Sequence, residues 1–216
     1  MSTKTDALIH SLSLDLSPVA PGAVARRIAL GLGLGGLGSV IVMLAWLGPR
    51  PDLSAAILTP MFWMKLGYAA ATGLILALVL ARLARPAARP GVLAAVAAAP
   101  FVLVSLMAVV RMAQAAPQAY RSLLMGHSSM ICPWRILVIS LPILIGAVWA
   151  VRGLAPTRLA LAGLVAGGCA GALGATVYAI ACNETSAPFL AVWYTAGMAL
   201  VAVLGAIGGA RLLRWR

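Results

Sequence analysis

The chain has 216 residues, of which 63% are apolar and 9% are charged, with a formal net charge of +12. Soluble domains are about 45–50% apolar and about 25% charged, so this composition excludes a water-soluble globule as well as a disordered or collagen-like chain. A polytopic membrane protein is the remaining class. The basic residues lie between apolar runs rather than in one stripe, which argues against direct nucleic-acid binding.

Residues 1–27 precede the first apolar run and predict an amphipathic arm outside the membrane. Leu8, Ile9, Leu12 and Leu16 recur at helical spacing and form one apolar stripe. Because a short isolated helix is marginal in water, such a stripe favours docking into a groove or onto lipid. The other face is not basic, which favours a protein groove. Docking onto the chain's own bundle is the alternative.

Residues 28–216 predict an all-α bundle of six transmembrane helices. The predicted spans are residues 28–47, 61–81, 91–110, 136–151, 159–181 and 189–210. Most reach the ~20 residues that cross ~30 Å of hydrocarbon. The fourth run is short, so we expect this span to begin nearer Ile131, with Arg135 snorkelling outward. Pro100 and Pro142 fall inside spans, where a bundle tolerates a kink.

The arginines and lysines predict the orientation of these spans. With the amino terminus inside, eleven of the sixteen basic residues lie on the inner side and five on the outer side. Cytoplasmic segments of membrane proteins carry the excess of arginine and lysine. Both termini are therefore predicted to be cytoplasmic.

Glycines group in two predicted spans. They are Gly31, Gly33, Gly35 and Gly36 in the first span and Gly163, Gly167 and Gly171 in the fifth. The first group has the spacing of a dinucleotide-binding loop, but it lies in a span and no strand precedes it. We interpret both groups as small residues that let a neighbouring helix approach closely.

Two cysteines are candidate redox-sensing residues. Cys132 lies at the start of the fourth span and Cys182 at the end of the fifth, so the topology places both at the outer membrane face. In an oxidising compartment two such thiols pair if their Cα atoms approach to about 5.5–6 Å. Two unrelated interfacial residues are the alternative.

His127 and Glu184 flank these cysteines in the sequence. Together the four side chains would suit a soft divalent ion, but their spacing matches no compact ligand motif. We therefore assign no metal site and keep His127 and Glu184 as weak candidates, and we predict no cofactor. Alternatively, Glu184 pairs with an arginine of the same side, Arg111, Arg121 or Arg135.

The interior of the predicted bundle argues against ion-coupled transport, because no span carries Asp, Glu or His at mid-depth. Lys65 lies a few residues into the second span from the outer side. We expect its ammonium group to snorkel to the membrane surface as an anchor.

Several segments resemble the NrsF-type anti-sigma factors. They are Lys4-Thr5-Asp6-Ala7-Leu8-Ile9, Asp15, Pro18-Val19, Arg26-Arg27, Cys132-Pro133, Cys182-Asn183-Glu184, Phe189, Trp193-Tyr194 and Gly197. The resemblance implies a multi-pass regulator of the bacterial inner membrane that holds an extracytoplasmic-function sigma factor inactive. It maps paired periplasmic cysteines onto Cys132 and Cys182. The arm has no cluster of His and Cys, so a cytoplasmic zinc-dependent latch is not expected.

The resulting hypothesis is a non-enzymatic, membrane-bound anti-sigma factor. Its stripe of Leu8, Ile9, Leu12 and Leu16 would bind the sigma factor, and a redox or heavy-metal signal at the two cysteines would release it. The alternatives are a thiol:quinone oxidoreductase, although no C-x-x-C pair is present, and a small-molecule or metal transporter. The sequence leaves open the sigma factor, the signal and whether copies associate into a homo-oligomer in the lipid bilayer.

Overall fold

The computed structural model describes residues 3–14, 20, 22–85, 91–154 and 156–214. These residues form helices and turns and contain no β-strand. Six helices in this part of the chain are long and apolar enough to cross a membrane. This confirms the predicted all-helical fold and the six long apolar helices. We call them spans 1 to 6: Ala23–Trp46, Pro60–Leu83, Val92–Gln114, Cys132–Arg152, Leu159–Tyr178 and Ala187–Leu212.

Shorter helices lie outside the spans. The arm contains a helix at Thr3–Leu14, which we call the arm helix. The connections contain Leu53–Ala56 between spans 1 and 2, and Pro117–Ala119 and Tyr120–Met125 between spans 3 and 4.

Three span ends differ from the apolar runs. Span 1 begins at Ala23 rather than residue 28, because helical hydrogen bonding continues past Arg26 and Arg27 beyond the apolar stretch. Span 4 begins at Cys132, close to the expected Ile131. Span 5 ends at Tyr178 rather than residue 181. Beyond it, the carbonyl oxygen of Ile180 accepts from the main-chain N–H of Arg50, and that of Cys182 accepts from the side chains of Arg50 and Lys65.

Proline breaks one span and is accommodated in another. Span 3 consists of Val92–Val96 and Ala99–Gln114 with a turn between them, and Pro100 lies in the first turn of the second piece. Pro142 lies inside the continuous helix of span 4. Near it, the Ser39 hydroxyl of span 1 donates a hydrogen bond to the carbonyl oxygen of Ile139.

Span 5 is the central helix, and its glycines face span 6. A Cβ atom at Gly163 would meet the main chain of Gly205, and one at Gly167 would meet the main chain of Val201. Gly171 lies against Met198 in the same way. The prediction that these glycines allow a close helix approach is confirmed.

The glycines of span 1 divide into two faces. Gly31 and Gly35 lie directly against the main chain of span 4, whereas nothing lies within 4 Å of a Cβ atom placed at Gly33 or Gly36. Close packing is therefore confirmed for Gly31 and Gly35, and it is wrong for the other two. Helical spacing puts Gly31 and Gly35 on one face, but it does not tell which face of span 1 meets span 4.

The bundle has two distinct ends. One, which we call the cysteine end, buries Met43, Cys132, Tyr178, Cys182 and Tyr194 in one cluster. The other, which we call the arginine end, buries a cluster of Ile28, Leu83, Ala150, Val151 and Leu213.

Arg27 of span 1 binds span 4 at the arginine end. Its Nε atom donates a hydrogen bond to the carbonyl oxygen of Ala150 at 3.0 Å, and its guanidinium group lies 4.8 Å from the ring centroid of Trp149. The lack of a side chain at Gly153 leaves room for it. The assignment of this end to the cytoplasm stays a prediction from the distribution of arginine and lysine.

Candidate functional site

The two cysteines singled out in the sequence lie side by side at the cysteine end. Cys132 is the first residue of span 4, and Cys182 lies in the connection 179–186 between spans 5 and 6. Both side chains belong to the same buried cluster. Both are free thiols and buried, 0% and 3% exposed. The structure thus brings the pair together, and its redox role stays a prediction.

Two tyrosines enclose the thiols. The rings of Tyr178 and Tyr194 lie with their centroids 5.9 Å apart, and both side chains are buried. Neither hydroxyl group forms a regular hydrogen bond within the described part of the chain. Tyr194 ends the π-helical turn Leu190–Tyr194 of span 6, and such turns are frequent at functional sites. Neither tyrosine was predicted as part of the site, although each lies near a span end that carries or faces a cysteine.

Lys65 is buried beneath the connection 179–186. Its side chain is 1% exposed, and Nζ donates hydrogen bonds to the carbonyl oxygens of Cys182 at 2.7 Å and Glu184 at 3.0 Å. The ammonium group also lies 5.9 Å from the ring centroid of Tyr194. The expectation that Lys65 snorkels to the surface is wrong, because main-chain carbonyl groups replace water as its partners.

Arg50 holds the same connection from the loop between spans 1 and 2. Its main-chain N–H donates to the carbonyl oxygen of Ile180 at 3.1 Å, and Nη1 donates to that of Cys182 at 3.3 Å. The rest of the guanidinium group forms a salt bridge with Asp52 at 2.6 Å. The hydrogen bond from Arg50 lowers the pKa of Asp52. The carbonyl group of Cys182 therefore receives hydrogen bonds from two cationic side chains.

Glu184 ties this connection to the one between spans 3 and 4. Its Oε1 atom accepts hydrogen bonds from the main-chain N–H of His127 at 2.8 Å and from the hydroxyl of Ser128 at 2.9 Å. The carboxylate packs against Gly126, whose φ of 52° and lack of a Cβ atom make the approach possible. The alternative in which Glu184 pairs with Arg111, Arg121 or Arg135 is not realised, since no such salt bridge forms in the described ranges.

The arrangement offers little to a metal ion. His127 contributes its main-chain N–H to Glu184, and the carboxylate is already engaged. Among the residues that the structure describes, no three His, Cys, Asp or Glu side chains come together as ligands. His127 and Glu184 thus complete no metal site with the thiols in this arrangement.

Cys182, outside the spans, is the more acidic thiol. The pKa of Cys182 is lowered chiefly because the Cys132 thiol donates a hydrogen bond to it, and the positive charge of Lys65 acts in the same direction. Burial opposes both effects. A thiolate is the reactive form of cysteine, so the lowered pKa favours reaction at Cys182 over Cys132.

We expect a Glu184→Ala variant to loosen the connection between spans 3 and 4. The change leaves two donors without their charged acceptor, and a hydrogen bond to a charged group contributes about 1.5–3 kcal/mol. Trypsin cleavage after Arg121 in that connection should become about tenfold faster or more, since about 1.4 kcal/mol corresponds to a factor of ten. Glu184→Gln keeps an acceptor oxygen and should change the rate much less. Equal rates in both variants and wild type would contradict this role.

The arm helix presents its apolar stripe to the surroundings. Leu8, Ile9 and Leu12 are 58%, 58% and 64% exposed, so the bundle does not cover them. The alternative of docking onto the chain's own bundle is not adopted in this structure. Leu16, the fourth residue of the predicted stripe, lies outside the described residues.

Comparison with known proteins matches the chain over nearly its whole length. The family model described as "Negative regulator of sigma F" matches residues 12–215. The anti-sigma-F factor NrsF of Caulobacter vibrioides is 40% identical over 215 residues, covering 98% of this chain and 100% of that protein. The probable anti-sigma-F factor NrsF of Azospira oryzae is 37% identical over 214 residues, with 98% and 100% covered. No solved structure matches. The chain therefore belongs to the NrsF family of negative regulators of sigma F.

Proposed function

We propose that this protein is an anti-sigma factor of a bacterial inner membrane, which holds an extracytoplasmic-function sigma factor inactive at the cytoplasmic face. The observation that carries the proposal is the 40% identity to an anti-sigma-F factor over 98% of the chain. Both relatives carry the names of regulators. This favours a regulator over the thiol:quinone oxidoreductase and the transporter that the sequence left open.

The proposed binding surface is the stripe of the arm helix. Leu8, Ile9 and Leu12 are each more than half exposed, and with Leu16 they have the spacing of a helix that lays one face into a groove. Eleven of the sixteen basic residues fall on the side of the arm and the arginine end, and the usual charge bias favours the cytoplasm for this side. The sigma factor would meet the arm there.

The proposed signal is oxidation of the thiol pair at the opposite end. Loss of the two thiols to a disulfide would change how the connection 179–186 packs, and span 5 would carry the change along its glycine contact with span 6. A full shift between two states from 1:99 to 99:1 requires about 5.5 kcal/mol. One disulfide contributes about 2–4 kcal/mol, so we expect partial release.

The experiment is a reporter for the cognate sigma factor in cells lacking the chromosomal copy of this protein. Without the protein the reporter should be high, and wild type should repress it until hydrogen peroxide is added. Cys132→Ser and Cys182→Ser should repress but respond at least fivefold less. Cys169→Ala, which changes the third and separate cysteine, should respond like wild type.

The outcomes of this experiment test the anti-sigma role and the oxidation signal separately. A reporter that stays low without the protein would overturn the anti-sigma role. A wild-type response in both serine variants would overturn the signal but leave that role intact. Release by cadmium ions and not by peroxide would favour a metal signal in place of oxidation.

A further inference from the structure

We propose that Lys65 is the positioning residue of the thiol pair. Its ammonium group keeps Cys182 as the reacting thiolate, and its hydrogen bonds to the connection 179–186 weaken when a disulfide forms. The inference rests on the proposed thiol signal and adds a residue and a mechanism to it.

Lys65 is a buried cation that no carboxylate pairs with among the described residues. Its side chain is 1% exposed, and its two hydrogen bonds go to neutral carbonyl groups. A buried charge is costly unless an opposite charge lies near it. Of the four acidic residues in the chain, two lie in the arm, Asp52 binds Arg50, and the carboxylate of Glu184 binds the connection between spans 3 and 4. Within the described residues, the thiol pair is the group beside Lys65 that can supply a negative charge.

The groups around Cys182 favour this charge from several sides. The titratable groups that face it are Lys65 from span 2, Cys132 from span 4, Tyr178 from span 5, Tyr194 from span 6 and Arg50 from the first loop. Two of them are cations, and the other three are neutral groups with a hydrogen to donate. A thiolate at Cys182 therefore neutralises Lys65, while Cys132 keeps its proton.

This assignment gives the two cysteines different parts in oxidation by hydrogen peroxide. The Cys182 thiolate attacks one peroxide oxygen, so that an S–O bond forms, the O–O bond breaks and hydroxide leaves. The Cys132 thiol then attacks the Cys182 sulfur, the S–O bond breaks, and water leaves with the thiol proton. The pair loses two electrons to the peroxide.

Disulfide formation removes one negative charge from the site and leaves the positive charge of Lys65 behind. The ammonium group then has only the carbonyl oxygens of Cys182 and Glu184 as partners. Breaking a buried pair by removing one partner is strongly destabilising. The two hydrogen bonds that hold the connection between spans 5 and 6 are thus weakened by the oxidation itself.

The first test measures the reactivity of Cys182 in the purified full chain, with Cys132→Ser and Cys169→Ala leaving it as the single thiol. Alkylation by iodoacetamide should have a pH midpoint below that of an ordinary cysteine, about 8.5. Lys65→Gln, which still donates to carbonyl groups but lacks the charge, should raise the midpoint and slow the reaction at pH 7 about tenfold. Lys65→Arg should restore at least half of the rate. Arg111→Gln, a control at an exposed arginine of the same end, should change it less than twofold.

The second test measures the equilibrium of the Cys132–Cys182 pair with glutathione, with Cys169→Ala alone as background. Stabilising the thiolate stabilises the reduced form and makes the disulfide easier to reduce. Lys65→Gln should therefore favour the disulfide about tenfold, which corresponds to a potential about 30 mV more negative. A merely structural lysine would move neither the midpoint nor the potential.

An unchanged pH midpoint or an unchanged potential in Lys65→Gln would overturn the proposal. Lys65→Met provides a second neutral variant should Lys65→Gln fail to fold. Both measurements use the purified protein without a sigma factor. Their failure is therefore distinguishable from failure of the reporter experiment, which tests the proposed function.

Discussion

A Gly167→Leu variant is expected to lose the folded bundle. A Cβ atom at this position would meet the main-chain oxygen of Val201, the Cα atom of Ala202 at 2.9 Å and the Cα atom of Gly205 at 3.0 Å. These are backbone atoms of span 6, which cannot turn aside as a side chain would. Spans 5 and 6 would have to separate along their whole contact, because Gly163 and Gly205 meet in the same way.

The size of this effect follows from the overpacking. Adding methylene groups to a well-packed core typically costs about 1–3 kcal/mol, and leucine adds four carbons directly against main chain. We therefore expect the variant to lose about 5 kcal/mol of its free energy of unfolding. Ordinary proteins have a free energy of unfolding of about 5–15 kcal/mol, so this loss can remove the folded state. The yield of protein in the membrane fraction should fall at least tenfold, and any purified protein should unfold at a clearly lower temperature in detergent.

Gly36→Leu is the matched control for this variant. It makes the same change in another span, at a position where nothing lies within 4 Å of the new Cβ atom. Leucine also has a better helix propensity than glycine, by up to about 1 kcal/mol. Yield and unfolding temperature should stay at the wild-type level or rise. A comparable loss in both variants would show that leucine in any span is harmful, and the close contact of spans 5 and 6 would then not explain the result.

The glycines of the spans also show how far the sequence predicts the fold. The six spans were predictable because a helix needs about 20 apolar residues to cross the hydrocarbon. The face of each helix that packs against a neighbour was not predictable, since adjacent glycines such as Gly35 and Gly36 lie in the same apolar sequence. Which one meets span 4 depends on the rotation of the helix in the bundle, and this is set by long-range packing.

The candidate site likewise has features that the sequence predicted and features that it did not. Cys132 and Cys182 were predicted to share one membrane face, because the count of spans alone determines the side on which each one ends. The buried position of Lys65 was not predicted, because its hydrogen-bond acceptors are carbonyl oxygens more than a hundred residues away in the chain. The position of Tyr194 depends on a local π-helical turn, and no residue pattern in the sequence indicated that turn.

A Leu8→Asp/Leu12→Asp variant is expected to lose the sigma factor while its bundle stays folded. Both leucines are exposed on the arm helix and outside the buried clusters of the spans. Burying one leucine side chain contributes about 1.5–3 kcal/mol, so the loss of two should weaken binding by a factor of about 100 or more. Titration of the purified full chain in lipid nanodiscs with the sigma factor measures this directly. In cells, the reporter should stay high with or without peroxide.

The matched control is Ala7→Asp/Ser11→Asp, which adds the same two charges at the same spacing on the arm helix, but beside the apolar stripe rather than in it. Both positions are exposed, and the two double variants differ only in whether the apolar stripe is interrupted. Binding by the control should stay within about threefold of wild type, because this is the usual range of about 0.5 kcal/mol for exposed substitutions. Equal losses would assign the effect to added negative charge near the basic arginine end. Unchanged binding in the leucine variant would move the binding surface from the arm to the connections of the arginine end.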